Sequence, residues 1–532
     1  MSCEFSAVIR GSFTYGDYTY VVCKHMVFRC NNGTVLFVGR MASSSFADDY
    51  ERICIFEYGG IIHFIGGGCY YTYDTINEKF AENLGYAPLI SRYVMNLGEY
   101  AEYEPDNIAG SRVRMHIKLD DTETIYYLTG MVVSVESVYV DGVEFTNYTF
   151  TENGKASFIT ITKALYIQGK SEMVVTYTLD TAYHPNERDT LFRGKLGFVY
   201  RGEGGPRLFL YDPDDVSGTV YYSELSHPIG EDAYGVFDYF TEDSKFSVGD
   251  GASPVLQISS LDDHVMIFNK QETYLLDVRL GQMETGLDTN RFEADIITNE
   301  YGIGKASGTV LLDGALYFYN KHGLHKYTYN KYTYDFITAR IELSDIARPR
   351  TDGYDEVRLF LNRADSELWL HLGSSVYVYN LRFKKWYLFT GIVSGNFIEN
   401  AGKVGFCYEK ALYLFEEDAL DDNGVGFEAV CEAKYCPCES IFGSKTLYSF
   451  GAAVDRVKGA TLECTLKNDH GSAFQITFAA SDSGENAPAI FKTHARLPRS
   501  GYFTLSMKVP AGSARTNIRA VMFRYRDIGG RQ

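Results

Sequence analysis

The stretch Tyr301-Gly302-Ile303-Gly304-Lys305-Ala306-Ser307-Gly308 sets a lysine among glycines, the residue types that cradle a phosphate. A P-loop needs Gly, four residues, then Gly-Lys-Ser/Thr. Here Asn299 stands where the first glycine belongs, and Ala306 follows the lysine. The segment also runs into a strand-like stretch, with no helix N-terminus to hold an anion. Spacing and context both fail.

Other candidates are weaker. His322 and His325 flank Gly323-Leu324 and could share a metal, but no third ligand recurs at a fixed offset. Cys436-Pro-Cys438 is half of a metal motif, with Cys431 as its one close companion and no second pair at ligand spacing. Asp212, Asp214 and Asp215, the pair Asp262 and Asp263, and the pair Asp421 and Asp422 miss the calcium-loop spacing. They read as solvated turns. No Gly-x-Ser-x-Gly elbow occurs. Carboxylates brought together from separate repeats would leave no local signature, so a glycosidase is the alternative that remains. No catalytic, cofactor-binding or metal-binding residue is assigned, no cofactor is expected, and the chain is not expected to be an enzyme.

The elements around these residues are strands. Short alternating runs meet at Asp/Gly turns, as in Val310 to Tyr319 around Asp313-Gly314 and Ile258 to Phe268 around Asp262-Asp263. The unit returns at Val357 to Tyr379, Val404 to Phe415, Ile53 to Tyr73 and Leu191 to Leu210. Turns at Asp262, Asp313 and Asp365 recur about every 50 residues, the spacing of propeller blades. One meander cannot cover its own apolar face; a closed ring of them can. The expected fold is all-β: a β-propeller of six or seven blades, a small inserted β-sandwich and a C-terminal β-domain. Residues 1–85 hold the first blade, 86–180 the insert, 181–424 the remaining blades and 425–532 the terminal domain. That last domain is richer in arginine, with Arg496, Arg499, Arg515, Arg519, Arg524, Arg526 and Arg531.

Composition agrees. The 532 residues include 43 Tyr and 35 Phe against 2 Trp and 12 Pro, a bias toward pleated, half-buried surfaces. Net charge is −19, which disfavours tight DNA binding through phosphate neutralisation yet lets a duplex slide past. No apolar run approaches the roughly 20 residues of a bilayer span. The first residues lack the pattern of a secretory signal, so Asn32-Gly33-Thr34 and Asn147-Tyr148-Thr149 are not read as glycosylated, and synthesis in a cytoplasm is expected. Ten scattered cysteines are too few for a disulfide scaffold.

The order of phrases resembles the tail nozzle, or tail hub, proteins of tailed bacteriophages (the packaged-DNA-stabilisation type). Val138-Tyr139-Val140-Asp141-Gly142 through Val174-Val175-Thr176-Tyr177 is similar to their inserted module. Val220-Tyr221-Tyr222-Ser223-Glu224-Leu225 with His227-Pro228 is similar to a propeller strand and turn of that family. Met266 to Lys270, Thr273 to Leu276, Gly304 to Ser307, Asp313 to Phe318, His322 to Leu324 and Lys385-Trp386-Tyr387 follow in the same order. The first forty residues and the C-terminal domain match least. The resemblance implies a virion structural protein forming a ring, of six subunits, at the head–tail junction or tail. Such a ring conducts and retains genomic double-stranded DNA beside portal, adaptor or tail-fibre proteins. It implies no catalytic residue. A carbohydrate-binding or carbohydrate-active propeller is the alternative.

Overall fold

The computed structural model describes residues 2–31, 33–42, 46, 51–93, 104–119, 122–202, 205–225, 237–282, 288–332, 335–341, 357–393, 396–400, 402–416, 421–422, 424–435, 445–455, 458–479, 489–514 and 516–527. The chain is all-β and separates into two compact units, Ser2–Leu414 and Phe415–Gln532 with Met1.

Among the described residues, the larger unit holds seven four-stranded antiparallel sheets. Six are simple meanders, at 9–40, 54–82, 196–247, 257–298, 309–340 and 358–390. The seventh joins strands from 396–414 to Ser2–Glu4, which pairs antiparallel with Ala411–Leu414. Tight turns make the meanders possible. Asp313 and Gly314 both take positive φ (49° and 68°), and Asp262 does the same at 51°, as the twist of a two-residue hairpin requires.

Each sheet buries its faces against its neighbours. Cys3, Ile9, Val21 and Cys407 pack between the seventh and first sheets, and Tyr20, Val22, Ile62 and Phe64 between the first and second. Phe209, Val220, Ile258 and Ile267 join the third to the fourth, while Phe268 and Phe318 join the fourth to the fifth. Leu324 and Leu368 link the fifth to the sixth. Phe360 stands 5.4 Å from Phe397, centroid to centroid, linking the sixth to the seventh. The circuit is closed.

Two differences from the sequence reading have physical causes. Residues 1–85 carry two full sheets rather than one: the strands at 9–40 turn at Gly16-Asp17, an available hairpin pair, and then at Lys24 (φ 55°), which carries no Asp/Gly signal. Near Leu191 the chain forms a short helix, Arg188–Phe192, not a strand; the helix buries Leu191 and Phe192 against the second and third sheets.

Between the second and third sheets the chain builds a separate core. A five-stranded sheet (Leu89–Tyr93, Arg112–Lys118, Glu172–Leu179, Val132–Val140, Val143–Glu144) faces a three-stranded one (Ile125–Leu128, Ser157–Thr160, Thr149–Glu152) across Val113, Tyr126, Ile159, Val175 and Tyr177. Strict alternation in Glu172–Leu179 supplies the buried face. The Phe415–Gln532 unit likewise sets a four-stranded against a three-stranded sheet around Phe450, Leu462, Leu466 and Phe503.

Candidate functional site

The first strands of the sheets converge. Ile9–Tyr15 lies against both Asn396–Asn400 and Cys54–Tyr58, and Cys54–Tyr58 lies against Leu196–Tyr200; Thr309–Leu312 lies against Arg358–Asn362. Small residues allow the approach. A methyl group on Gly197 would fall 2.6 Å from Cys54 Sγ. Burial pushes that thiol up to about 12, so Cys54 acts here as an apolar filler and not as a nucleophile.

These strands and the turns before them line a cavity of about 890 Å³. Among the described residues, its charged lining is Arg10, Arg52, Arg193 and Arg358 with Glu51 and Asp214. Each guanidinium is held by a neighbour. Arg193 donates to Asp189 Oδ2 at 3.0 Å and to Glu51 Oε2 at 3.0 Å. The Asp189 bond raises the arginine's pKa and, in return, lowers that of Asp189. Glu51 also accepts the Gly67 N–H at 2.9 Å and is largely buried. Arg52 donates to the Gly194 carbonyl at 3.2 Å and to Asp214 at 3.4 Å. Arg358 donates to Asn396 Oδ1 at 2.9 Å, and Arg10, only 9% exposed, lies 4.5 Å above the Phe46 ring.

The motifs weighed from sequence serve the fold. In the glycine-rich segment, Ile303 N–H donates to the Asn269 carbonyl at 2.9 Å and Gly304 N–H points to the Tyr319 carbonyl at 3.4 Å. Those donors are spent on backbone, although Ala306 and Ser307 do reach the cavity wall. His322 is exposed while His325 is buried against Phe318 and Tyr301, so the two do not face one site. Asp212 accepts from the Asp214 N–H, Asp215 from Ser217, and Asp421 from the Gly424 N–H, which makes them turn formers. Cys431 is exposed on a strand; Cys436, Cys438, His227 and Pro228 lie outside the described residues. No group of three or more His, Cys, Asp or Glu side chains suited to a metal occurs among the described residues.

Of the C-terminal arginines, Arg519 grips Asp455 through two hydrogen bonds of 2.7 and 3.1 Å, and Arg496, Arg524 and Arg526 are exposed. Arg515, Arg531 and the side chain of Arg499 lie outside the described set. The four cavity arginines carry the one feature that motif reading misses. They sit at or just before the first strand of four different sheets, a shared position that shows only once the repeat frame is fixed.

Comparison with protein-family models and with curated proteins finds no match. Among solved structures, the chain is similar to one in the mitotic checkpoint complex, with a TM-score of 0.35 and 8% identity, over 78% of this chain and 90% of that one. It is similar to the extracellular domain of a putative hybrid two-component system from B. thetaiotaomicron, with a TM-score of 0.38 and 8% identity; 94% of this chain aligns with 56% of that domain. An exo-β-1,3-galactanase from Phanerochaete chrysosporium aligns over 89% of this chain and 95% of its own, with a TM-score of 0.17 and 10% identity. At these scores the likenesses carry no functional weight.

Proposed function

We propose that the chain is a structural protein of a tailed-phage virion, one subunit of a ring at the head–tail junction or tail that conducts and retains the genome. In this reading the seven sheets are blades of one propeller, the two-sheet module between the second and third is an inserted β-sandwich, and Phe415–Gln532 is the terminal β-domain. The observation that carries it is the order of modules: a circuit interrupted once, closed by its own N-terminal strand, then followed by a separate two-sheet unit. That order is what the resemblance to tail nozzle proteins implies. A rigid circuit suits a wall, and the net charge of −19 suits a conduit through which DNA must slide. The cavity of the single chain is far too small for a duplex, so the conduit belongs to the ring of subunits, six in the family's pattern.

The carbohydrate-active alternative is less well supported. A glycosidase needs one carboxyl that keeps its proton for the leaving group. Among the described residues lining the cavity the carboxylates are Glu51 and Asp214, and each is already engaged by a guanidinium, Arg193 and Arg52 respectively. The test is to image intact particles and locate the chain. A closed coaxial ring at the tail supports the reading; one copy per particle, or copies scattered over the capsid, rejects it.

A further inference from the structure

We propose that Cys3 and Cys30 form a reversible redox pair, oxidised by a small disulfide of the glutathione class to a bond that fastens the closing strand Ser2–Glu4 to the first sheet. The inference goes beyond the structural role proposed above and stands or falls independently of it.

Convergence is the first argument. Cys3, Cys23, Cys30 and Cys407 share one buried cluster, at the seam where the seventh sheet meets the first. The strand register places them there. Cys407 lies opposite Leu412, and Leu412 opposite Cys3, so all three project from one face of the seventh sheet. In the first sheet Cys30 lies opposite Thr19, and Thr19, Val21 and Cys23 alternate onto one face, so Cys23 and Cys30 project together. Cys54, Cys69 and Cys464 differ: each is the one cysteine of its cluster among the described residues, as a small apolar filler would be.

Contact is the second argument. Burial lifts the pKa of both thiols, that of Cys30 to about 12, and a thiol–thiol hydrogen bond across the seam then lowers Cys3 and raises Cys30. That polarity makes the Cys30 S–H the donor and the Cys3 sulfur the acceptor. Cys3 is therefore the readier nucleophile, and Cys30 stands in place to resolve. Ser2–Glu4 is an edge strand held by three residue pairs, so opening it to solvent costs little. Once it opens, the Cys3 thiolate attacks one sulfur of the small disulfide, leaving a mixed disulfide and releasing the first small thiol. When the strand docks again, the Cys30 thiolate attacks the Cys3 sulfur, the protein S–S bond forms and the second small thiol leaves. Two protein thiols are oxidised, one small disulfide is reduced to two thiols, and the two protons pass to the leaving groups.

The experiment incubates the reduced full chain with oxidised glutathione without denaturant, caps the remaining thiols in denaturant, and maps tryptic peptides by mass spectrometry. Arg10, Lys24, Arg29, Arg40, Lys403 and Lys410 put the four cysteines in separate peptides, so each pairing has its own mass. The expected product links the peptide of residues 1–10 to that of residues 30–40 and reverts under dithiothreitol. In the oxidised chain, exchange at the Phe5 amide, which donates to the Lys410 carbonyl, should slow about tenfold relative to the reduced chain. In Cys30→Ala, samples with and without oxidised glutathione should exchange alike. Absence of the link in the parent chain overturns the proposal. So does a link from Cys23 to Cys407 in its place, or the same slowing in Cys30→Ala.

Discussion

Asn107 is the residue whose removal should most sharply loosen the inserted module from the circuit of sheets. It is 4% exposed, and its amide is saturated. Nδ2 donates to the Tyr86 carbonyl at 2.9 Å and the Asp238 carbonyl at 2.8 Å; Oδ1 accepts the N–H of Ala109 at 3.0 Å and of Phe240 at 3.1 Å. The chain leaves the second sheet at Gly85 and re-enters near Arg188, whose guanidinium binds the carbonyls of Ala109 at 2.7 Å and Asn83 at 2.8 Å. Asn107 therefore ties its own segment to the outgoing Tyr86 and to the 237–240 segment, beside the point where Arg188 holds the returning chain. In Asn107→Ala, four hydrogen bonds worth about 1 kcal/mol each disappear, and water entering the gap recovers part, leaving a loss of about 2–4 kcal/mol. The assay is hydrogen exchange at Tyr86 and Ile108, whose amides keep their own acceptors, the Asp238 and Phe240 carbonyls. Their exchange should quicken about 30- to 700-fold through local opening. Asn107→Asp at neutral pH should do at least as much harm, since a carboxylate would then face two carbonyl oxygens. Exchange within threefold of the parent in Asn107→Ala would refute the reasoning.

Two further outcomes are expected. Asp238 has a covered Oδ1 without a hydrogen-bond partner, and burial pushes its carboxyl from 3.8 up to about 7. The folded state thus holds that proton more tightly, so its contribution is full below pH 3.8 and is lost as pH rises through about 7, a swing of about 2–4 kcal/mol; Asp238→Asn should raise the melting temperature at pH 8 and hardly at all at pH 4, and an equal gain at both would reject the assignment. Deleting residues 2–5 removes the Ser2–Glu4 pairing, the Phe5 N–H bond to the Lys410 carbonyl and the buried Cys3, about 3–5 kcal/mol in all, and bares the edge of Ala411–Leu414. A lower melting temperature and concentration-dependent association should follow, and a deletion that melts and sediments like the parent would show that the strand closes nothing.

Legibility followed the turns. The sheets at 257–298, 309–340 and 358–390 were visible because each carries its first hairpin at an acidic turn, Asp262, Asp313 or Ala364-Asp365-Ser366, with positive φ at Asp262, Asp313 and Ser366. The strands between the second and third sheets were visible by alternation, as in Glu172–Leu179. The sheet at 9–40 was not, because its middle turn, at Lys24 (φ 55°), carries no Asp/Gly signal. Ser2–Glu4 was beyond reach: three residues hold no period, and their partner lies some four hundred residues away. The cavity failed for the same reason. Its arginines are adjacent only through contacts that the closed circuit creates, and each stands alone in sequence.

The same closure explains why a module can hang between the second and third sheets without weakening the circuit. The apolar cluster that joins those sheets, Phe56 and Ile65 with Leu208 and Leu210, takes in Ala109 and Ile108 from the 89–179 segment but no residue of the module's own core. The module keeps its own core of Val113, Tyr126 and Val175. The polar contacts that cross between them include the Asn107 amide, the Arg188 guanidinium, the Arg112 guanidinium on the Gly85 carbonyl and the Tyr239 hydroxyl on the Pro105 carbonyl. Apolar cores are geometrically permissive, whereas such hydrogen bonds are directional and fix an angle. The division of labour is thus stability from the two cores and orientation from the directional bonds that cross between them.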